Sequence, residues 1–329
     1  GRITPGRGLS GRLQQTRTHE GDSVRIDDLI SARSGPIFSF EFFPPKTPEG
    51  EEKLRRSFAE LRRLEPHFFS VTWGAGGSTG SQTISIVDEL QQASGIPGMA
   101  HFTCVGSSVS ELRAALADME RRGIRNVLTL RGDPPQGQDT FEPAPDGLEF
   151  ASELAALVSS TDHDFFIVGA CYPEVHQEAP DGDTDLRNLR AKVDAGVDYL
   201  ITQLFFDNSD YFAFCERARG AGIDVPIVPG ILPITDTERL RRFTALCGAS
   251  IPPTVEDALR ECGGDRGAVE DFGIAYCAQQ CAELLAGGAP GIHFYTLNDS
   301  RAVSAIMAAL KAARPWDRYR ETALAARAG

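Results

Sequence analysis

Three shortages in the sequence each exclude a class of protein. No run comes near the roughly 18 consecutive apolar residues that a membrane-spanning helix needs, so no membrane partner is expected. The seven cysteines, at positions 104, 171, 215, 247, 262, 277 and 281, form no Cys-x-x-Cys pair and no Cys/His pair at metal-binding spacing. An odd, scattered set of this kind reads as small buried hydrophobes in a reducing cytoplasm, not as a disulfide framework or a zinc site. Positive charge is scarce too: 33 Lys and Arg face 46 Asp and Glu, for a formal net charge of -13. Phosphate backbones are gripped by clustered Lys and Arg, so no nucleic-acid partner is expected.

The rest of the composition is that of a globular chain. Of 329 residues, 41% are apolar and 24% charged, which excludes collagen-like, coiled-coil and wholly disordered chains. Residues 1–21 are rich in Arg, Gly, Thr and Gln and poor in apolar side chains, so a mobile tail is expected there. A short helix is expected over Ser23–Arg33. No linker-like stretch interrupts residues 22–329, which read as one domain.

From Ile37 onward, apolar and β-branched runs alternate with amphipathic helical segments. The expected strands are Ile37–Phe43, Phe68–Trp73, Met99–Val105, Asn126–Gly132, Asp164–Pro173, Asp198–Phe206, Pro226–Pro233 and Gly291–Leu297. Most of their starts lie about 30 residues apart, the length of a strand-helix-strand unit. The last gap is longer, and Val255–Ala286 supplies helical material for it. Helix starts are signalled by Thr47-Pro48 and by capping boxes at Ser108-x-x-Glu111 and Thr235-x-x-Glu238. Three helices end in Gly followed by an apolar residue, at Gly123-Ile124, Gly196-Val197 and Gly222-Ile223.

Eight strands with helical crossovers can close as a (β/α)8 TIM barrel or lie open as a doubly wound sheet. An open sheet gathers ligand residues at one switch point, whereas a barrel draws them from many strand ends. Here nearly every strand ends in residues suited to chemistry. The first ends with Glu41 between Phe40 and Phe42, followed by Phe43. A carboxylate among phenylalanines is desolvated, which raises its pKa and lets it act as a general acid; a salt bridge to Lys46 or an Arg is the structural alternative. The second leads into Trp73-Gly74-Ala75-Gly76-Gly77, where glycines admit a flat ligand but form neither a P-loop nor a dinucleotide fingerprint. The fourth ends Arg131-Gly132-Asp133, either an internal pair or two groups aimed separately at a charged ligand. The fifth leads through Tyr172 and His176 to a helix with Asp185, Asn188 and Lys192 on one face. The sixth offers Gln203, an amide suited to a heterocycle edge. Together these favour the barrel, with the site at its C-terminal mouth. His101, His176 and His293 do not suggest a metal, because Phe40-Glu41-Phe42 stands where metal-dependent barrel hydrolases usually carry His-x-His. Neutral imidazoles beside an aromatic ligand fit better.

Eight segments in order resemble methylenetetrahydrofolate reductases. They are Ser-Phe-Glu-Phe-Phe-Pro-Pro-Lys-Thr at 39–47, Ser-Val-Thr-Trp-Gly-Ala at 70–75, His-Phe-Thr-Cys at 101–104, Leu-Arg-Gly-Asp at 130–133, Tyr-Pro-Glu-Val-His at 172–176, Thr-Gln-Leu-Phe-Phe-Asp at 202–207, Pro-Gly-Ile-Leu-Pro at 229–233 and His-Phe-Tyr-Thr-Leu-Asn at 293–298. The resemblance spans about Ile37 to Arg314. It implies an FAD-containing (β/α)8 barrel of the catalytic-domain-only bacterial type, cytoplasmic and homo-oligomeric. Such an enzyme reduces 5,10-methylenetetrahydrofolate to 5-methyltetrahydrofolate with NADH or NADPH, by ping-pong transfer through the flavin. By the same resemblance Glu41 is the general acid, and Asp133 the carboxylate near the flavin pyrimidine edge and the folate. Gln203 is the amide on the pterin, and Phe243 the aromatic that stacks on folate or nicotinamide in turn. Thr72, Trp73, His101, Arg131, Gly132, Asp133, Tyr172, His176, Ala179, Asp185, Asn188 and Lys192 fall where the family holds FAD. Two positions depart: Asp299 stands where bacterial relatives often carry Arg, and Ala191 where they often carry a basic residue.

Three other readings compete. A flavin barrel oxidoreductase of the proline dehydrogenase kind would want an arginine cluster for its substrate carboxylate, which these strand ends lack. A metal-dependent barrel hydrolase or aldolase would use Glu41, Asp133 and the histidines. A folate or flavin binder would be yellow without turnover.

Overall fold

The computed structural model describes residues 24–32, 35–74, 80–134 and 143–319. The expected N-terminal tail and most of the glycine-rich turn after Trp73 lie outside the described residues. The first half of the chain runs α1 (Ile26–Ser31), β1 (Ile37–Phe42), α2 (Pro48–Leu61), β2 (Phe68–Val71), α3 (Gly80–Ser94), β3 (Gly98–Thr103), α4 (Val109–Arg121), β4 (Asn126–Leu130) and α5 (Ala151–Ser159). The second half runs β5 (Phe166–Cys171), α6 (Gly182–Asp194), β6 (Tyr199–Thr202), α7 (Asn208–Gly220), β7 (Ile227–Val228), β8 (Gly230–Ile231), α8 (Thr237–Cys247), α9 (Pro253–Glu261), α10 (Arg266–Ala286), β9 (Gly291–Tyr295) and α11 (Arg301–Ala313).

The strands pair in parallel in the order β7-β6-β5-β4-β3-β2-β1-β9-β8. β7 and β8 are two halves of one short run broken at Pro229, which has no N–H to donate to a ladder. β7 pairs with β6 and β8 with β9, so the broken strand closes the ring. The expected (β/α)8 barrel is the observed fold, with its seventh strand in two pieces. The long gap before the last strand is filled by α9 and α10.

Alternation along each strand sorts side chains into two cores. On β1, Phe38, Phe40 and Phe42 join the outer core, where Phe42 and Phe58 of α2 pack with ring centroids 5.5 Å apart. Ile37 joins an inner core with Phe68, Met99, Leu128, Phe166, Val168, Tyr199, Ile201 and Val228. Ser39 and Glu41 share the face of Ile37 and look into the barrel. α1 stoppers the N-terminal mouth: Ile26 is fully buried in the inner core, and its N–H donates to Asn126 Oδ1 at 2.9 Å. The interior therefore opens toward the C-terminal strand ends.

Local signals explain most helix boundaries. Thr47 Oγ1 accepts the Gly50 N–H ahead of α2, and the Ser108–Glu111 box is complete at α4. At α8 the cap is Asp236, not Thr235: Asp236 is extended and its Oδ1 accepts the Arg239 N–H at 2.8 Å. Gly123 (φ 70°) ends the turn after α4, and the Ile124 N–H closes on Met119 O at 2.9 Å while its side chain is buried.

Candidate active site

The C-terminal strand ends and α8 surround one cavity of about 620 Å3, within the roughly 300–1,000 Å3 usual for small-molecule sites. Glu41 lies in its wall, only 4% exposed. Its Oε2 is 3.1 Å from His101 Nε2 and 3.3 Å from His293 Nε2. His293 is aligned for a hydrogen bond, whereas His101 Nε2 has no aligned partner among the described residues. His293 Nδ1 stands 2.7 Å from Ser39 Oγ, so Ser39, His293 and Glu41 form a chain across the barrel interior. Closure explains this meeting, since Ser39 pairs in register with His293 and Glu41 with Tyr295.

Burial pushes the Glu41 carboxyl up, but the imidazoles of His101 and His293 outweigh it and hold the pKa at about 2. The elevation expected from a phenylalanine setting is thus reversed. Phe40 and Phe42 belong to the outer core, and the side chains that meet Glu41 inside the barrel come from β3 and β9. Glu41 is a carboxylate at neutral pH, with imidazole protons at hand. This carries a consequence for stability. Because that pKa is held below the unfolded value of 4.5, the ionised carboxyl contributes stability above pH 4.5 that is lost as pH falls toward 2. The stability gap between wild type and Glu41→Gln, read from urea midpoints, is expected to shrink between pH 5 and pH 3. A gap constant with pH would contradict the assignment.

Around Glu41 the wall alternates flat apolar and polar surface. Thr72 and Trp73 follow β2, and Trp73 packs edge-on against Phe102 with centroids 5.5 Å apart. Gly132 has φ 92°, and a Cβ there would lie 2.5 Å from Val105 Cγ1, so only glycine brings the backbone this close. On either side, Arg131 and Asp133 both line the cavity. Arg131 grips Glu178 through two contacts of 2.6 Å, while Asp133 is exposed on the rim. Tyr172 packs edge-on against His176 at 4.5 Å, and burial lowers the His176 pKa so that the ring is neutral. Its Nδ1 accepts the Glu178 N–H at 3.1 Å, which leaves the hydrogen on Nε2. Gln203 also lines the cavity, its Oε1 accepting the Leu204 N–H at 2.9 Å. Phe243 hangs from α8, half-buried, with the Arg242 guanidinium 5.5 Å from its ring centre.

Four expected site residues stand behind or beside this wall. Asp185 Oδ2 accepts the His176 N–H at 3.1 Å, and Lys192 Nζ donates to Ala170 O at 2.8 Å. Both therefore brace lining residues. The Ala179 N–H donates to His176 O, and Asn188 is exposed on α6. The departing Asp299 turns to its own helix start: Oδ1 accepts the Arg301 N–H, and Oδ2 is 3.8 Å from Lys53. Sequence reasoning missed Glu178, Tyr295, Leu297 and Leu246 as lining residues. Leu246 is 71% exposed and lines the cavity with Phe243 of the same helix. Among the described residues, no three or more His, Cys, Asp or Glu are grouped to hold a metal ion.

A family model described as methylenetetrahydrofolate reductase matches residues 25–311. The chain is similar to methylenetetrahydrofolate reductase (NADH) 1 of Arabidopsis thaliana, at 38% identity over 84% of this chain and 49% of that one. It is equally similar to 5,10-methylenetetrahydrofolate reductase of Escherichia coli (strain K12), at 38% identity over 85% of this chain and 93% of that one. It thus spans about half the length of the plant protein and nearly all of the bacterial one. Among solved structures, a Clostridium thermocellum protein that binds two copies of 5-methyl-5,6,7,8-tetrahydrofolic acid shares the fold, with a TM-score of 0.59 and 17% identity over 86% of this chain and 97% of that one.

Proposed function

The chain belongs to the methylenetetrahydrofolate reductase family, and from that premise we propose that it reduces 5,10-methylenetetrahydrofolate to 5-methyltetrahydrofolate, with NADH or NADPH as reductant and FAD as intermediary. The plant relative's name supports NADH. The observation that carries the reading is Glu41, buried in the cavity wall and flanked by two imidazoles within hydrogen-bonding reach.

The residues present fit a flavin. Thr103 Oγ1 and His101 Nε2 are buried without aligned partners among the described residues, and both residues line the cavity. Gly132 removes the side chain that would keep a ring away. Thr72, Trp73, His101, Arg131, Gly132, Asp133, Tyr172 and His176 would hold the group, with Ala179, Asp185, Asn188 and Lys192 supporting that side of the mouth. When bound, FAD supplies hydride transfer.

This chain's own work is with protons, charge and position. The substrate's imidazolidine ring must open to an iminium cation before its carbon can accept hydride, and opening needs a proton on the departing nitrogen. Ser39 Oγ is hydrogen-bonded to His293 Nδ1, and His293 Nε2 donates to the Glu41 carboxylate, so the ring holds that carboxylate in place. Covering the cavity strips water from the carboxylate and favours its neutral form, so Glu41 takes up a proton from solvent as substrate seats and gives it to the departing substrate nitrogen. Asp133 faces the cation that forms, Gln203 offers its amide NH2 to the pterin, and Phe243 gives an aromatic face at the mouth. One cavity that serves nicotinamide and then folate calls for ping-pong kinetics. The cysteines among the described residues are free, five of them buried, which supports a cytoplasmic setting.

Purified protein reconstituted with FAD is expected to oxidise NADH in the presence of methylenetetrahydrofolate and release methyltetrahydrofolate, with parallel-line kinetics. A yellow protein without turnover would be a binder, and a colourless one holding stoichiometric metal would be a hydrolase or aldolase. Either result would overturn the proposal.

A further inference from the structure

The turn after β9 carries an unusual backbone at the edge of the cavity. Leu297 and Asn298 are consecutive non-glycine residues with φ of 50° and 55°. L-residues rarely adopt this region, and asparagine tolerates it far better than a bulky side chain. Such a conformation persists only where its surroundings over-determine it. Here they do. The Phe43 N–H donates to Asn298 Oδ1 at 2.9 Å, and Asn298 Nδ2 donates to Phe43 O at 2.8 Å. The Ser57 hydroxyl of α2 donates to Asn298 O at 2.9 Å. The Asn298 N–H donates to Thr296 Oγ1 at 3.1 Å, and that hydroxyl donates to Glu41 O at 2.6 Å.

The location of these bonds gives them meaning. The ladder between β1 and β9 has its last register pair at Glu41 and Tyr295. Beyond it the two strand exits would separate, and the Asn298 carboxamide takes up both backbone hydrogen-bonding groups of Phe43, as a further strand residue would. Glu41 lies just before this join on one strand. Phe43 and Leu297, one on each side, both line the cavity.

We propose that Asn298 is a positioning residue for folate reduction, a side-chain clasp that ties the exit of the first strand to that of the last. It fixes the reach of Glu41 to the substrate nitrogen and holds Phe43 and Leu297 as an apolar wall beside it. The inference rests on the reading of Glu41 as the proton donor. A residue that merely stabilised the fold would weaken both half-reactions alike. The clasp acts on the half that uses Glu41.

Asn298→Gly keeps the left-handed backbone and deletes both carboxamide bonds, and Asn298→Asp keeps the acceptor for the Phe43 N–H. In the FAD-loaded protein, Asn298→Gly is expected to slow folate reduction by about 10- to 100-fold while NADH oxidation by an artificial acceptor changes by less than about threefold. Asn298→Asp should fall between glycine and wild type, and the Phe43 amide should exchange with deuterium faster in Asn298→Gly. Wild-type folate kinetics in Asn298→Gly would overturn the proposal, as would equal loss of both half-reactions with a matching fall in melting temperature. Wild-type protein that reduces no methylenetetrahydrofolate would refute the functional reading itself, a result distinct from these.

Discussion

Glu41→Gln is expected to lose about 10²- to 10⁴-fold in folate reduction while it still oxidises NADH with an artificial acceptor. Glutamine preserves the shape of the side chain and its hydrogen bond to His293 Nε2, and removes the ionisable carboxyl together with its charge beside the two imidazoles. The two half-reactions separate because hydride transfer from nicotinamide needs no proton from the protein, whereas ring opening does. The histidines sharpen the prediction. With His101 and His293 beside it, Glu41 is ionised at rest, takes up its proton when substrate covers it, and is held in place by its hydrogen bond to His293. His293→Ala should therefore slow folate reduction as well, though less than Glu41→Gln. Equal loss of both half-reactions in Glu41→Gln would place the carboxylate in cofactor binding instead.

Asp133→Asn is expected to slow folate reduction by about 10²- to 10³-fold, the usual cost of losing one preorganised charge opposite a developing one. Asp133 is exposed on the rim. Its charge is well screened there, and gains force when substrate covers it and the local dielectric falls. The loss should accordingly appear in kcat more than in the KM for NADH. A kcat near that of wild type would mean that the iminium cation is stabilised by another group.

The barrel was legible because its signals are local. Buried β-branched runs, caps and left-handed glycines each act within a few residues, and they placed the strands and most helices. The exceptions are local too. Pro229 inside the seventh strand warned of the break that splits β7 from β8, and adjacent Thr235 and Asp236 both suit a cap, so the boundary slipped by one residue. The site was legible as a set of strand ends, and eleven of its residues do share the cavity wall, Glu41 and Asp133 among them. What the sequence hid was the charge state of Glu41. Neighbours in sequence along a strand point to opposite faces, so Phe40 and Phe42 say little about the surroundings of Glu41. The groups that decide its pKa sit about 60 and 250 residues away and meet it through barrel closure. Asp185 and Lys192 illustrate the converse: one helical face brings them together, yet they brace the wall from behind.

The central claim is that one cavity passes electrons through a flavin to a folate whose ring Glu41 opens. A two-step titration without oxygen tests it most directly, on wild type and Glu41→Gln side by side. NADH is added to the FAD-loaded protein until the yellow colour bleaches, and methylenetetrahydrofolate is then added. Both proteins are expected to bleach, and only wild type should regain its colour, with one methyltetrahydrofolate formed per flavin. Recovery of the variant at the wild-type rate, or no recovery in wild type, would contradict the account.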